Sequence, residues 1–325
     1  MPDKIRYGQI GVGHAHASKL QVYRDSADYE VVGIAEPDPE LRRRAESQAP
    51  YRDLPWMSVE QLLNQPKLQV VGIETRVADL LAYGGQAVDA GMHIHLDKPA
   101  GTSLPEFKQL LDRAARGHLA VQMGYMYRYN PGIVALRRLL DQGHLGQPFE
   151  LHTVMSKLIN DGARQPLAQF AGGSMFELGC HLIDLVVGIL GAPEAVHPYL
   201  RRSREDQLRD NTLAVFEYPG ATATVRSTLI EVDGGARRQL TLCGTKGTVH
   251  IQPLDRPRMK LTLLEPGGGY PKGTREVELP DYRRYVDDAA ELARIVRHEQ
   301  DPRFSYEHDL AVQKSLLLAS GMPIE

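Results

Sequence analysis

The sequence predicts an α/β domain built on a parallel sheet over residues 1–125, followed by an α+β domain with a mainly antiparallel, open sheet over residues 126–325. Three observations carry this. Over the first 125 residues short apolar runs alternate with helical patterns, which is how parallel strands covered by helices are written. After Asn130 the pattern changes, and from Phe149 onward β-type runs succeed one another across tight turns. A chain of 325 residues with 42% hydrophobic side chains is long enough and apolar enough for two cores.

In chain order, strands are expected at 5–10, 31–35, 68–73, 93–96 and 119–123, each too short and too apolar for an exposed helix. Ser58 with Gln61, and Ser103 with Glu106, have capping-box spacing and mark two helix starts. Gly91 and Gly117 stand where helices end, since a left-handed residue closes the last turn most cheaply with glycine. Pro131 opens a further helix and Gly143 closes it. Strands then follow at 149–158, 212–216, 221–230, 239–243, 248–251, 259–264 and 276–279, with Pro219-Gly220 and Gly244–Gly247 as turns. One apolar helix at 175–190 interrupts them, Asn160 to Phe170 reads as a loop, and helices at 282–298 and 306–319 finish the chain.

Several function classes fall away on composition. With 38 Lys+Arg against 41 Asp+Glu the net charge is −3, which leaves no footprint for nucleic acid, and the runs Arg42–Arg44 and Arg201-Arg202 read as solvated faces. The longest nearly apolar stretch, Leu182 to Leu190, is broken by Asp184 and falls far short of a membrane span. Met1 to Gly13 lacks the pattern of a signal peptide, so a cytoplasmic protein is expected. Two cysteines, Cys180 and Cys243, read as ordinary thiols. No metal site is expected, because His93 and His95 alternate onto one strand face without a ligand triad around them.

The segment Ile10-Gly11-Val12-Gly13-His14-Ala15-His16 lies where the first strand turns into the first helix, as in a Rossmann-type unit. Its backbone N–H groups are expected to converge on a pyrophosphate. Two of the three fingerprint glycines are present; His16 stands at the third. Glu36 ends the second strand, 23 residues after Gly13, where a carboxylate accepts hydrogen bonds from both adenine-ribose hydroxyls and repels a 2′-phosphate. This argues for NAD over NADP.

Further along stand Asp97-Lys98-Pro99 at the carboxyl edge of the sheet, Gly124 to Pro131 around Tyr127 and Arg128, and Gly172 to Asp184 with Glu177, His181 and Asp184. At these residues the chain resembles the Gfo/Idh/MocA oxidoreductases, the family of glucose-fructose oxidoreductase and inositol dehydrogenase. The similarity runs over nearly the whole chain, including the Gly-Thr-Lys-Gly turn at Gly244–Gly247. It implies NAD(P)-dependent hydride transfer at a secondary alcohol of a sugar, polyol or inositol, in a cleft between the domains. It also implies a homodimer or homotetramer built through the second domain's sheet. Three departures stand out: His16 for the third glycine, Glu177 for the usual aspartate, and Glu74-Thr75-Arg76 for the common Thr-Pro-Asn.

Glu177, His181 and Asp184 are spaced i, i+4, i+7 and are expected on one stripe of one helix. Oxidising a carbinol requires a base at the hydroxyl, and His181 is suited to that near neutral pH. Lys98, held extended by Pro99, is the second catalytic candidate, its ammonium stabilising alkoxide character, and Glu177 is the third. Tyr127 and Arg128 are expected to bind substrate hydroxyls together with Glu177, Asp184 and His181. Gly11, Gly13, His14, Ala15, His16, Glu36, Glu74 and Lys98 are expected around the cofactor. Ser174 and Glu177 also have capping-box spacing, so Glu177 has an alternative reading as a helix cap. Two other functions share these residues: a glycoside-cleaving enzyme that oxidises its substrate transiently with retained NAD, and a non-catalytic sensor of dinucleotide or sugar.

Overall fold

In the computed structural model, which describes residues 3–325, the chain forms two compact units. The first runs to Tyr125 and takes back Tyr285–Tyr306 and Glu325; the second comprises Met126–Arg284 and Glu307–Ile324.

Six strands make the first unit's sheet: β1 (Ile5–Ile10), β2 (Tyr29–Ala35), β3 (Trp56–Met57), β4 (Leu68–Ile73), β5 (His93–Leu96) and β6 (Val121–Met123). All pairs are parallel and the order is β3-β2-β1-β4-β5-β6, so the strand order reverses between β1 and β4. Ligands of open α/β sheets bind beyond the carboxyl ends of strands at such a reversal. The sequence predicts five of these strands; β3, two residues pairing with Ile34 and Ala35, is too short to leave a pattern.

Tyrosines dominate the core on one side of this sheet. Tyr7 of β1 stacks on Tyr23 with ring centroids 4.0 Å apart, and Tyr29 meets both edge-on. Gly72 of β4 makes the room, because a Cβ there would stand 1.8 Å from the Tyr7 hydroxyl. The Tyr29 hydroxyl donates to the Ala289 carbonyl at 2.7 Å, and Leu292, Ala293 and Val296 from the helix Val286–Val296 complete the same cluster. That helix, expected within the second domain, therefore belongs to the first unit. Its apolar face is the missing wall of the tyrosine core, a long-range fit that no local pattern encodes.

Helix ends follow the expected chemistry with one exception. Ser58 and Gln61 form a reciprocal capping box, and the Ser103 hydroxyl accepts the Glu106 N–H. Gly91 is left-handed at φ +79°, but Gly117 sits at φ −85° and His118 takes the left-handed position at φ +52°.

The second unit carries an eight-stranded sheet: β7 (Pro148–Ser156), β8 (Ala195–Arg201), β9 (Asn211–Tyr218), β10 (Ala221–Thr228), β11 (Gln239–Gly244), β12 (Gly247–Ile251), β13 (Met259–Leu263) and β14 (Gly273–Val277). In the order β14-β13-β12-β11-β7-β10-β9-β8 every pair is antiparallel except β7 with β10. The sequence reading lacks β8, which is an edge strand with Pro198 inside it and exposed residues along it, a setting where a strand tolerates an internal proline. The expected loop at 160–170 contains a helix, Asp161–Ala168, whose start is capped by the Asn160 side chain accepting from Ala163 N–H. The apolar helix Cys180–Leu190 is entered through a π-helical turn, Met175–Gly179. Among the described residues no helix is long and apolar enough to cross a membrane.

Candidate active site

Beyond β1 the chain turns at Gly11, which stands at φ +94°; a Cβ there would lie 2.5 Å from the Thr75 backbone nitrogen. Only glycine fits both the conformation and the space. The buried Gln9 side chain donates to the Gly11 carbonyl at 2.9 Å and fixes the turn from beneath. Glu36, just past β2, is held by two backbone donors: Val12 N–H reaches Oε2 at 2.7 Å and Asp38 N–H reaches Oε1 at 2.8 Å. A groove lined by Glu36, Asp38, Leu41, Thr75, Arg76 and Tyr83 adjoins this carboxylate.

These features test whether a dinucleotide fits. Four of the turn's N–H groups are spent within the protein, Gly11 on the Ala35 carbonyl, Val12 on Glu36, His14 on the Glu74 carbonyl and His16 on His14 Nδ1, but those of Gly13 and Ala15 donate to nothing among the described residues. They are available to phosphate oxygens. Around Glu36 the arginines are already engaged. Arg42 pairs with Glu46 and lies over Trp56, Arg43 and Arg44 pair with Glu40, and Arg76 pairs with Asp38 at 2.6 Å. The turn, the two donors and the placed carboxylate fit a dinucleotide.

Underneath the turn lies a buried charged cluster that local sequence patterns do not reveal. Asp97 is fully buried and meets three donors, with His14 Nδ1 close beside them. Lys98 N–H (2.6 Å) and His16 Nδ1 (3.2 Å) approach Oδ1, while Lys19 Nζ (2.7 Å) and His14 Nδ1 (3.1 Å) approach Oδ2. Lys19 also stands 3.0 Å from Glu74 and donates to His95 Nε2 at 2.8 Å, with the Tyr285 ring 4.8 Å away. Since Lys19 can only donate, His95 carries its hydrogen on Nδ1 and gives it to Gln122 at 3.0 Å. Burial raises the Glu74 carboxyl well above its usual range, with the Asp97 charge adding to it. Burial works the same way on Asp97, but His14, Lys19 and His16 more than reverse it, and its carboxyl lies well below that range. Burial also pushes His16 down to about 4 and His95, beside the Lys19 charge, down to about 3.

Glu74 therefore does not face the cofactor side of the turn, as its place after β4 suggests; its side chain is wholly buried beside Lys19. Its carbonyl does reach the turn, accepting the His14 N–H at 2.9 Å. His95, read from the sequence as part of no metal site, is a polar member of the cluster. Lys98, directly after Asp97, is 2% exposed.

In the second unit Glu177, His181 and Asp184 meet different partners. The π turn at Met175–Gly179 breaks the α-helical spacing between Glu177 and the two residues after it. Glu177 approaches Lys157 at 3.7 Å. Ser174 makes no cap; its hydroxyl is spent on Thr212 and the Ser227 carbonyl, which removes the helix-cap reading of Glu177. His181 is buried, its ring edge-on to Tyr127 at 5.9 Å, and the Tyr127 hydroxyl donates to Asp255 at 2.7 Å. Asp184 is fully buried and receives Arg128 Nε at 3.0 Å and Nη2 at 2.6 Å, with His308 at 3.3 Å. The same guanidinium meets Asp309. Burial raises the Asp309 carboxyl; it also works to raise Asp184, where Arg128 and His308 more than reverse it. Arg128 thus spends its charge on Asp184, which lies on the His181 helix, and on Asp309, in place of the expected contact of Arg128 and Asp184 with substrate.

Two groups have metal-ligand spacing among the described residues, His14–His16–Asp97 and Asp184–His308–Asp309. Each already holds a cationic side chain, Lys19 in the first and Arg128 in the second, at 2.7 Å or closer to a carboxylate.

Comparison with known proteins agrees with this geometry. Residues 5–125 match the model of an oxidoreductase family with an NAD-binding Rossmann fold, and residues 133–250 match the GFO/IDH/MocA C-terminal domain. The chain is 24% identical over 253 residues to trans-1,2-dihydrobenzene-1,2-diol dehydrogenase of Bos taurus, spanning 76% of this chain and 74% of that protein. It is 25% identical over 319 residues to D-xylose 1-dehydrogenase (NADP(+)) 2 of Haloferax volcanii, spanning 96% and 95%. UDP-N-acetylglucosamine 3-dehydrogenase of Acidithiobacillus ferrooxidans shares the fold, with a TM-score of 0.82 at 19% identity over 98% of both chains. With the dinucleotide turn and both family models in the same order along its length, the chain belongs to the Gfo/Idh/MocA oxidoreductases.

Proposed function

We propose that this protein is an NAD-dependent dehydrogenase that moves hydride between a secondary alcohol of a sugar, polyol or inositol and the nicotinamide ring. The observation that carries the cofactor half is Glu36, whose carboxylate two backbone donors fix beside the Gly11 turn. A fixed anion there accepts ribose hydroxyls and opposes a 2′-phosphate. The substrate half rests on relatives whose names specify a diol and a sugar as substrates.

When bound, the dinucleotide supplies the two-electron acceptor for the carbinol hydrogen. The remaining chemistry is a proton and a developing negative charge on the carbinol oxygen. We assign the proton to His181 and the stabilisation of that charge to Lys98, whose backbone N–H is anchored on Asp97. Tyr127, with its hydroxyl committed to Asp255, packs its ring against His181 and holds the imidazole orientation. Glu177, with Lys157 beside it, is the remaining candidate for a substrate hydroxyl. The protein is further proposed to assemble as a homo-oligomer through its eight-stranded sheet, which analytical ultracentrifugation tests.

The experiment is turnover of NAD+ and NADP+ with a panel of sugars, polyols and inositols. The expected result is a higher kcat/KM with NAD+, and a loss of about 100-fold or more on Lys98→Ala and on His181→Ala. A Lys98→Ala variant with an unchanged rate, or a preference for NADP+, contradicts the assignment.

A further inference from the structure

The fingerprint's third glycine lets helix and strand approach closely, and here it is His16. The helix after the turn also lacks a side-chain cap: it begins as a 3-10 turn, Ala17–Lys19, with no hydrogen bond from the His16 side chain to its N-terminus. Something else must hold the turn against the sheet, and the structure shows what does.

We propose that Asp97, with His14, His16 and Lys19, forms a clasp that ties the dinucleotide turn to the Lys98 segment, so that one buried carboxylate sets both cofactor affinity and the placement of the lysine. The inference rests on the dehydrogenase reading above and concerns residues that position the lysine and the turn.

Three ties converge. From the turn, the two histidine rings reach opposite oxygens of Asp97, at 3.1 and 3.2 Å. From the following helix, Lys19 reaches Oδ2 at 2.7 Å, and Asp97 is its closest carboxylate. From the lysine segment, Lys98 N–H reaches Oδ1 at 2.6 Å, and the Lys98 carbonyl accepts His14 Nε2–H at 3.0 Å. His14 therefore ties the turn to the lysine segment through Nε2–H on the Lys98 carbonyl, while its Nδ1 accepts the His16 N–H and stands beside the carboxylate. Hydrogen bonds to an ionised, buried carboxylate are the strong kind, because little water competes for them. A divalent cation is a poorer occupant of the same ligands, since the Lys19 ammonium already neutralises Asp97 and repels a second positive charge.

The test uses His16→Gly, Asp97→Asn and Lys19→Met, read in two ways. In the cofactor-free protein, long-range ¹H–¹⁵N spectra report the ring nitrogens of His14 and His16; Asp97→Asn and Lys19→Met are expected to shift both. In the binding and kinetic arm, His16→Gly restores the fingerprint glycine yet is expected to weaken NAD+ binding about tenfold, the loss of one charge-assisted hydrogen bond. Asp97→Asn is expected to raise the NAD+ dissociation constant and, at saturating NAD+, to lower kcat as well. A merely structural role would leave kcat at saturation untouched. Histidine spectra unmoved by Asp97→Asn, or a His16→Gly protein that binds NAD+ as tightly as the parent, overturn the clasp. If the parent binds neither dinucleotide the dehydrogenase reading fails, while the spectra of the cofactor-free protein still decide whether the clasp exists.

Discussion

At the scale of single residues, Glu36 and Gly11 define what the first unit can bind. The Glu36 carboxylate is fixed by the turn's own Val12 N–H, and replacing it by alanine frees that donor and the one from Asp38. Calorimetry on Glu36→Ala is expected to show NAD+ affinity lower by about 10- to 100-fold, with a smaller loss for NADP+. An unchanged NAD+/NADP+ ratio would count against the ribose assignment. For Gly11→Ala the methyl meets the Thr75 nitrogen at 2.5 Å in a left-handed conformation. Urea unfolding is expected to show a loss of about 1–3 kcal/mol together with impaired NAD+ binding; parent-like values for both would remove the turn from the site. These two residues were legible because their meaning is local: a strand, a turn and a fixed spacing. Lys19, Asp97 and His95 were not legible as a cluster, because a lysine in a first helix says nothing of a carboxylate 78 residues away until β1, β4 and β5 lie side by side.

Elements show a second limit of local pattern. Helical spacing alone puts Glu177, His181 and Asp184 on one α-helical stripe, and the π turn at Met175–Gly179, which leaves no periodic signature, carries Glu177 outside the α-helix that holds the other two. Asp184 then serves Arg128, whose guanidinium also holds Asp309 within the second unit. Removing one partner from such a buried group strands the charges that remain. Arg128→Met is therefore expected to lower stability in urea by about 3–5 kcal/mol, and Arg128→Lys to rescue little of it, because an ammonium cannot span two carboxylates in a fork. A loss below about 1 kcal/mol would show that the cluster contributes little.

The histidines of the first unit give the pH dependence. His16 and His95 titrate near 4 and 3 in the folded protein, against 6.5 as the ordinary value, because burial disfavours their charged forms. At these two sites the unfolded chain binds more protons than the folded one, so their contribution to stability is complete above 6.5 and falls as pH drops toward 4, while the raised Glu74 and Asp309 carboxyls contribute with the opposite sign. The unfolding free energy of the parent minus that of a double variant, His16→Gln with His95→Gln, should decline from pH 7 to pH 4.5, with a slope of about 1.4 kcal/mol per pH unit for each histidine in the steep part. A difference that does not change with pH would contradict this origin.

For the whole molecule, alternation of strand and helix was enough to read a parallel sheet followed by a mainly antiparallel one, since both periods are written residue by residue. The return of Tyr285–Tyr306 to the first unit was not, because it depends on Tyr29 and its neighbours offering a surface that the helix Val286–Val296 completes. Strands β3 and β8 escaped for opposite reasons, one too short and the other an exposed edge interrupted by Pro198. The family models cover the stretches that carry the turn, Lys98 and His181, so the central claim concerns a nicotinamide dinucleotide as the working partner of this fold. Its most direct test is calorimetric titration of NAD+ into the purified protein. The expected result is saturable 1:1 binding in the micromolar range, about −8 kcal/mol, competed by ADP-ribose and weakened by Glu36→Ala. Absence of saturable binding by both NAD+ and NADP+ would contradict it.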